Sequence, residues 1–211
     1  MILMIRIYLF IILLLTGCSI FYNKRFNKST MESFNMIINT YTNPEKDLFE
    51  QLLQLSHPAL FIDIETRLLK IPLKDSIHLF FKDYIDPNSV YYKYMISYKI
   101  INDTLPLVKE DSNRHLIFIY KGMVTLKLIA PNSKHKLYAK NSISNIDIWN
   151  IDLVKYPKLN NTDFLEMVIY ENSLIYIPKG WWYSIKYNTA TVQLSSISES
   201  ISGYISNMIA N

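Results

Sequence analysis

The stretch that most constrains this chain is Leu174 to Tyr187, LIYIPKGWWYSIKY. Leu174, Tyr176 and Pro178 alternate with Ile175 and Ile177, the period of a short strand. Pro178 cannot donate to a ladder, Gly180 permits a sharp reversal, and Trp181-Trp182 open a second strand that runs through Tyr187. The pattern predicts a β-hairpin whose tip carries two Trp and a Tyr aimed at an interior. On pattern alone this is a buried aromatic plug in a sheet protein.

The neighbouring segments keep the same rhythm. Strands are predicted at His115 to Tyr120, Val124 to Ala130, Glu166 to Tyr170 and Thr191 to Ile197. Their short, regular spacing indicates an all-β sandwich or barrel. Upstream, Ala59 to Ile64 and Leu68 to Leu73 read as strands, and Tyr91 to Ile101 is a further β-rich run. Flanking helices are expected from Pro44, with Asn43 as N-cap and a stripe of Leu48, Phe49, Leu52, Leu53 and Leu55, and over Asp75 to Ile85 and Glu199 to Ala210. An apolar content of 50% is enough for a sizeable core, and only 4 glycines place Gly122 and Gly180 where the backbone needs them. The 22 basic and 18 acidic residues form no basic stripe, which argues against a nucleic-acid partner. A single cysteine, Cys18, excludes an internal disulfide framework and a Cys-based zinc site.

The N-terminus has a different character. Ile7 to Tyr22 is an uninterrupted apolar run, about 24 Å long as a helix, and Arg6 can snorkel while Met1 to Ile5 lengthen it. Residues 1–23 are therefore expected to be a single-pass membrane anchor, 24–43 a polar tether and 44–211 the folded domain. Lys24, Arg25 and Lys28 outnumber Arg6, so a retained helix leaves the domain in the cytosol. A competing reading takes Leu15-Thr16-Gly17-Cys18 as a lipobox, with Cys18 lipidated after cleavage of a signal peptide.

The sequence Ile-Pro-x-Gly-Trp-Trp after a strand resembles the C-terminal hairpin of the JmjC-type, cupin-like Fe(II)/2-oxoglutarate oxygenases. Lys121-Gly122, Thr125 to Pro131 (TLKLIAP), Leu137-Tyr138, Tyr156-Pro157 and Glu171 to Leu174 extend the likeness over roughly Leu105 to Ser198. The resemblance implies a double-stranded β-helix, or jelly-roll, barrel. It also implies an iron site of two His and one carboxylate that leaves positions for 2-oxoglutarate and O₂.

The family's His-x-Asp pair falls thirteen and eleven residues before the glycine matching Gly122, on Lys109 and Asp111. Its third ligand falls on Tyr183, and its 2-oxoglutarate lysine on Val124. An ammonium has no lone pair to donate, and a phenol with a reference pKa of about 10 is a poor Fe(II) ligand near neutral pH. Strand alternation puts Val124, Leu126 and Leu128 on one face and Lys127 on the other, so Lys127 does not replace the missing lysine. His115, beside Asp111 and Tyr183, is the one rescue of a ligand set. These residues predict a membrane-tethered, catalytically inactive member with no cofactor, in which Trp181, Trp182 and His115 line the mouth for a protein or small-molecule ligand. The alternative is a divergent protein hydroxylase that uses Fe(II) and 2-oxoglutarate.

Overall fold

The computed structural model describes residues 38–42, 56–64 and 91–200. Among them the fold is almost wholly β. The strands are β1 (Asn39–Thr42), β2 (Ala59–Ile62), β3 (Tyr91–Ile101), β4 (Val108–Lys109), β5 (Arg114–Lys121) and β6 (Met123–Ile129), followed by β7 (Ala139–Lys140), β8 (Ile143–Ser144), β9 (Leu165–Tyr170), β10 (Ser173–Pro178), β11 (Trp182–Tyr187) and β12 (Thr191–Ser200). They form two sheets of six strands, ordered β1-β2-β10-β5-β12-β3 and β7-β8-β4-β11-β6-β9. All the pairings are antiparallel except β1 with β2.

The hairpin expected over Leu174 to Tyr187 does not form. β10 pairs with β2 and β5 in one sheet, whereas β11 pairs with β4 and β6 in the other. Pro178 ends the first ladder and Gly180, at φ 89°, turns the chain across the sandwich instead of back along it. β5 and β6 likewise change sheets at Gly122, and β9 and β10 change sheets at Asn172. Asn172 adopts φ 61°, a left-handed conformation that asparagine tolerates better than most residues. Strands that alternate between two facing sheets are consistent with the jelly-roll, cupin-type arrangement.

The alternation of apolar residues decides what fills the space between the sheets. Ile117 and Ile119 of β5, Val124, Leu126 and Leu128 of β6, Ile175 and Ile177 of β10, and Tyr183, Ile185 and Tyr187 of β11 join one buried cluster with Trp181. A polar chain runs within it: the Tyr187 hydroxyl donates to Gln193 Oε1, and Gln193 Nε2 donates to Ser195 Oγ at 2.8 Å. A second cluster covers the opposite face of β6 and β11. There Leu107, Ile129, Leu137, Ile146, Ile148 and Leu159 surround Trp182. Much of this layer comes from the long excursion between β6 and β9, which carries 3₁₀ turns at Pro131–Lys136 and Pro157–Asn161.

Two further expectations change. Asn39–Thr42, read from sequence as the end of a polar tether, is a strand in register with Ala59–Ile62. β12 continues through Glu199 to Ser200, so a closing helix does not begin at Glu199. The anchor over residues 1–23, the helices from Pro44 and over Asp75 to Ile85, and the strand at Leu68 to Leu73 lie outside the described residues. Among the described residues no helix is long and apolar enough to cross a membrane.

Gly122 has φ 102°, and a Cβ there would sit 2.7 Å from Thr191 Oγ1 and 3.0 Å from Thr191 Cα. Gly122→Ala is therefore expected to cost about 1–3 kcal/mol from backbone strain, with the clash added to it. Denaturant unfolding monitored by tryptophan fluorescence would show the lowered midpoint.

Candidate functional site

The interior end of β11 and the chain just after β4 form the candidate site. Trp182 and Tyr183 pair with Lys109 and Val108, which brings the two segments side by side. Beyond Lys109 the strand ends and the backbone is clamped to the corner ahead of β11. The Glu110 N–H donates to Trp181 O at 2.8 Å, and the Gly180 N–H donates to Glu110 O at 2.6 Å. The two-residue period carries on past Lys109: Val108 packs against the interior cluster and Glu110 turns inward, while Lys109 and Asp111 share the other side.

Glu110 is 5% exposed and His115 5% exposed, and His115 Nδ1 lies 2.6 Å from Glu110 Oε2. A carboxylate can only accept, so the imidazole donates through Nδ1. The other carboxylate oxygen, Oε1, accepts the Ser112 N–H at 2.8 Å, which fixes the side chain from its own loop. The Tyr183 hydroxyl lies 3.4 Å from His115 Nδ1, and the two rings meet edge to face at a centroid distance of 5.8 Å. Burial, then the charge of Glu110, then Tyr187 push the Tyr183 phenol above its ordinary value. Glu110, His115 and Tyr183 thus form one compact buried polar cluster.

The sequence-predicted positions fall on both sides of this cluster. Lys109 Nζ pairs with Asp111 Oδ1 at 2.7 Å, and Asp111 Oδ2 accepts the Ser142 hydroxyl. This pair is partly exposed, with side-chain exposures of 22% and 39%. The set of His115, Asp111 and Tyr183 is not assembled, because Glu110 stands where Asp111 was expected. Val124 is fully buried in the interior cluster. Lys127 points to the opposite face, with Nζ 3.1 Å from Ile148 O and 3.3 Å from Glu166 Oε2.

The two indoles are core residues. Trp181 packs between the sheets and donates through Nε1 to Ser56 O at 2.8 Å, which ties the corner to the segment before β2. Trp182 is fully buried in the second cluster, where its Nε1 has no hydrogen-bond partner, so packing alone holds it. Among the described residues both indoles and His115, expected at a ligand mouth, are buried. A groove of about 460 Å³ instead lies on the outer face of the β11 sheet, between residues 104–107, 143–149 and Ser184. There Trp149 donates through Nε1 to Ser184 Oγ at 2.7 Å.

Glu110 was missed because counting back from Gly122 lands on its two neighbours. The usable signal was a carboxylate five residues before a histidine that opens a strand. No three His, Cys, Asp or Glu among the described residues are grouped to hold a metal. A ferrous centre of the expected kind takes two imidazoles and a carboxylate. The described residues of this site offer one imidazole already engaged with its carboxylate, and a phenol that burial keeps protonated, and that donor set does not fit.

Removing Glu110 strands a buried donor, whereas removing Lys109 breaks only a partly exposed pair. Glu110→Ala is expected to cost about 1–3 kcal/mol or more and Lys109→Ala less than about 1 kcal/mol. Equilibrium unfolding of both variants checks the contrast. In a cycle with His115→Ala, the two buried-site losses should sum to more than the double variant loses. The phenol adds a pH dependence. A phenol held protonated in the fold contributes stability that is fully present below the unfolded value of about 10 and is lost as pH rises above it. Tyr183→Phe should therefore shrink the alkaline fall in stability above about pH 10, read from midpoints measured across pH.

Comparison with known proteins places this geometry. Residues 95–201, half of the chain, match the cupin-like domain family. Over 97 residues the chain is 31% identical to the lysine-specific demethylase JMJ30 of Arabidopsis thaliana, a match covering 44% of this chain and 23% of that protein. Over 82 residues it is 31% identical to the JmjC domain-containing protein D of Dictyostelium discoideum, covering 36% and 18%. The chain thus matches less than a quarter of the length of either relative. Among solved structures, hydroquinone 1,2-dioxygenase from Sphingomonas sp. TTNP3 aligns with a TM-score of 0.37 at 12% identity, over 53% of this chain and 63% of that one. E. coli ycfD aligns with a TM-score of 0.42 at 10% identity, over 60% and 30%. The chain belongs to the cupin-like domain family, within the JmjC/cupin-like superfamily.

Proposed function

We propose that this JmjC/cupin-like domain operates no iron and 2-oxoglutarate centre, and serves as a binding or structural module held at a membrane by residues 1–23. The observation that carries the reading is the contact between His115 and Glu110. The imidazole and the carboxylate nearest the third-ligand position are spent on each other at 2.6 Å. Tyr183 closes the cluster with a hydroxyl in place of a third ligand. Val124, the position on which the family resemblance puts the co-substrate lysine, is an apolar side chain buried among apolar neighbours. For a module of this kind, the groove between residues 104–107 and 143–149 is an opening among the described residues on which a small-molecule or peptide partner would act.

The alternative is the activity named in one relative, a demethylase, or another Fe(II)/2-oxoglutarate-dependent oxidation of a protein. A melting experiment separates the two. Purified full-length protein would be heated with Mn(II), with 2-oxoglutarate, and with both together. An intact centre saturated a hundredfold above Kd would gain about 2.7 kcal/mol, a shift of several degrees for a chain of this size. The expected result is no shift in any arm. Stabilisation that appears only when metal and 2-oxoglutarate are added together would reject the module reading.

A further inference from the structure

The excursion between β6 and β9 carries a surface that the sheets do not require. Asp152 Oδ1 accepts the N–H groups of Val154 at 3.0 Å and Lys155 at 3.1 Å, and Asp152 O accepts the Tyr156 N–H at 2.9 Å. These bonds build a tight turn that presents Leu153 and Val154 outward, 46% and 95% exposed. Two adjacent aliphatic side chains at the tip of a polar turn gain nothing from water. Beside the tip, Tyr138 and Tyr156 meet at a centroid distance of 5.2 Å, and Tyr138 is 40% exposed. Tyr138 adopts φ 48°, a strained conformation for a bulky aromatic residue.

The charges around the rings point to the occupant. Lys155 Nζ sits 5.2 Å from the Tyr156 centroid and Lys158 Nζ 5.7 Å from the Tyr138 centroid, while Lys136 Nζ donates to Asn161 O. Asp152, beside the tip, is turned into its own loop. Aliphatic residues at a tip, tyrosines at its base and lysines reaching past the rings are the composition that seats at a lipid–water boundary. Lysines near an anionic leaflet each add about 1 kcal/mol of attraction. We propose that the Leu153-Val154 tip, with Tyr138, Tyr156, Lys155 and Lys158, docks onto an anionic phospholipid surface. This goes beyond the N-terminal anchor and does not rest on it, because every residue involved lies between 136 and 158.

The test separates the two contacts. Full-length protein carrying Cys18→Ser and Val154→Cys is labelled with an environment-sensitive fluorophore and mixed with vesicles of phosphatidylcholine, alone or with phosphatidylserine added. A control carries the label at Ile100→Cys, an exposed position in the other sheet. The expected result is a blue shift at position 154 on phosphatidylserine vesicles only, with none at position 100. Replacing Lys155 and Lys158 by Gln should weaken the response about fivefold per lysine. Flotation of the vesicles reports the N-terminal anchor independently, so its failure leaves the signal at 154 interpretable. No shift at 154, an equal shift on both vesicle types, or an equal shift at both label positions would overturn the proposal.

Discussion

The inner end of the β11 sheet depends on burying one carboxylate safely. A carboxylate taken out of water without partners costs several kcal/mol, and Glu110 is nearly inaccessible. Its side chain is satisfied by His115 Nδ1 and the Ser112 N–H, while its own N–H and carbonyl bind the corner at Trp181 and Gly180. One residue therefore links β4, the start of β5 and the crossing into β11. A loss there loosens the point where the two sheets are joined, so this cluster matters for architecture as well as for any ligand chemistry.

The same residue explains how much of the site was legible in the sequence. The strand positions were readable because alternation of Val, Ile, Leu and aromatic residues is a local signal, and β3, β5, β6, β9, β10 and β11 lie where that signal puts them. Sheet membership was not readable. Whether Gly180 folds β11 back on β10 or sends it across depends on partners far away in sequence, namely β2, β5, β4 and β6. The alternation that assigned Val124 and Lys127 to opposite faces works because β6 is regular throughout. Lys109 and Asp111 do share one face and pair there, but counting back from Gly122 landed on that outer pair and passed over Glu110, the inward residue between them.

The aromatic run teaches a similar lesson. Trp182 opens β11 and Trp181 sits at the corner just ahead of it, and the two indoles fall on opposite sides of the sheet. With cores on both faces of the β11 sheet, both become structural: Trp181 between the sheets and Trp182 under the 131–164 excursion. A buried aromatic plug was the plain reading of LIYIPKGWW, and the burial of both indoles agrees with it.

The weaving of the chain between two sheets also bears on how the molecule forms. β5 finds its partners in β10 and β12, which begin more than fifty residues further along, and β2 waits for β10 across more than a hundred. Few of the central pairs can zip from a tight turn, so long loops must close before the interior gains its reward. Assembly of this sandwich is expected to be slow for its size, with unpaired strand edges exposed until the C-terminal strands arrive.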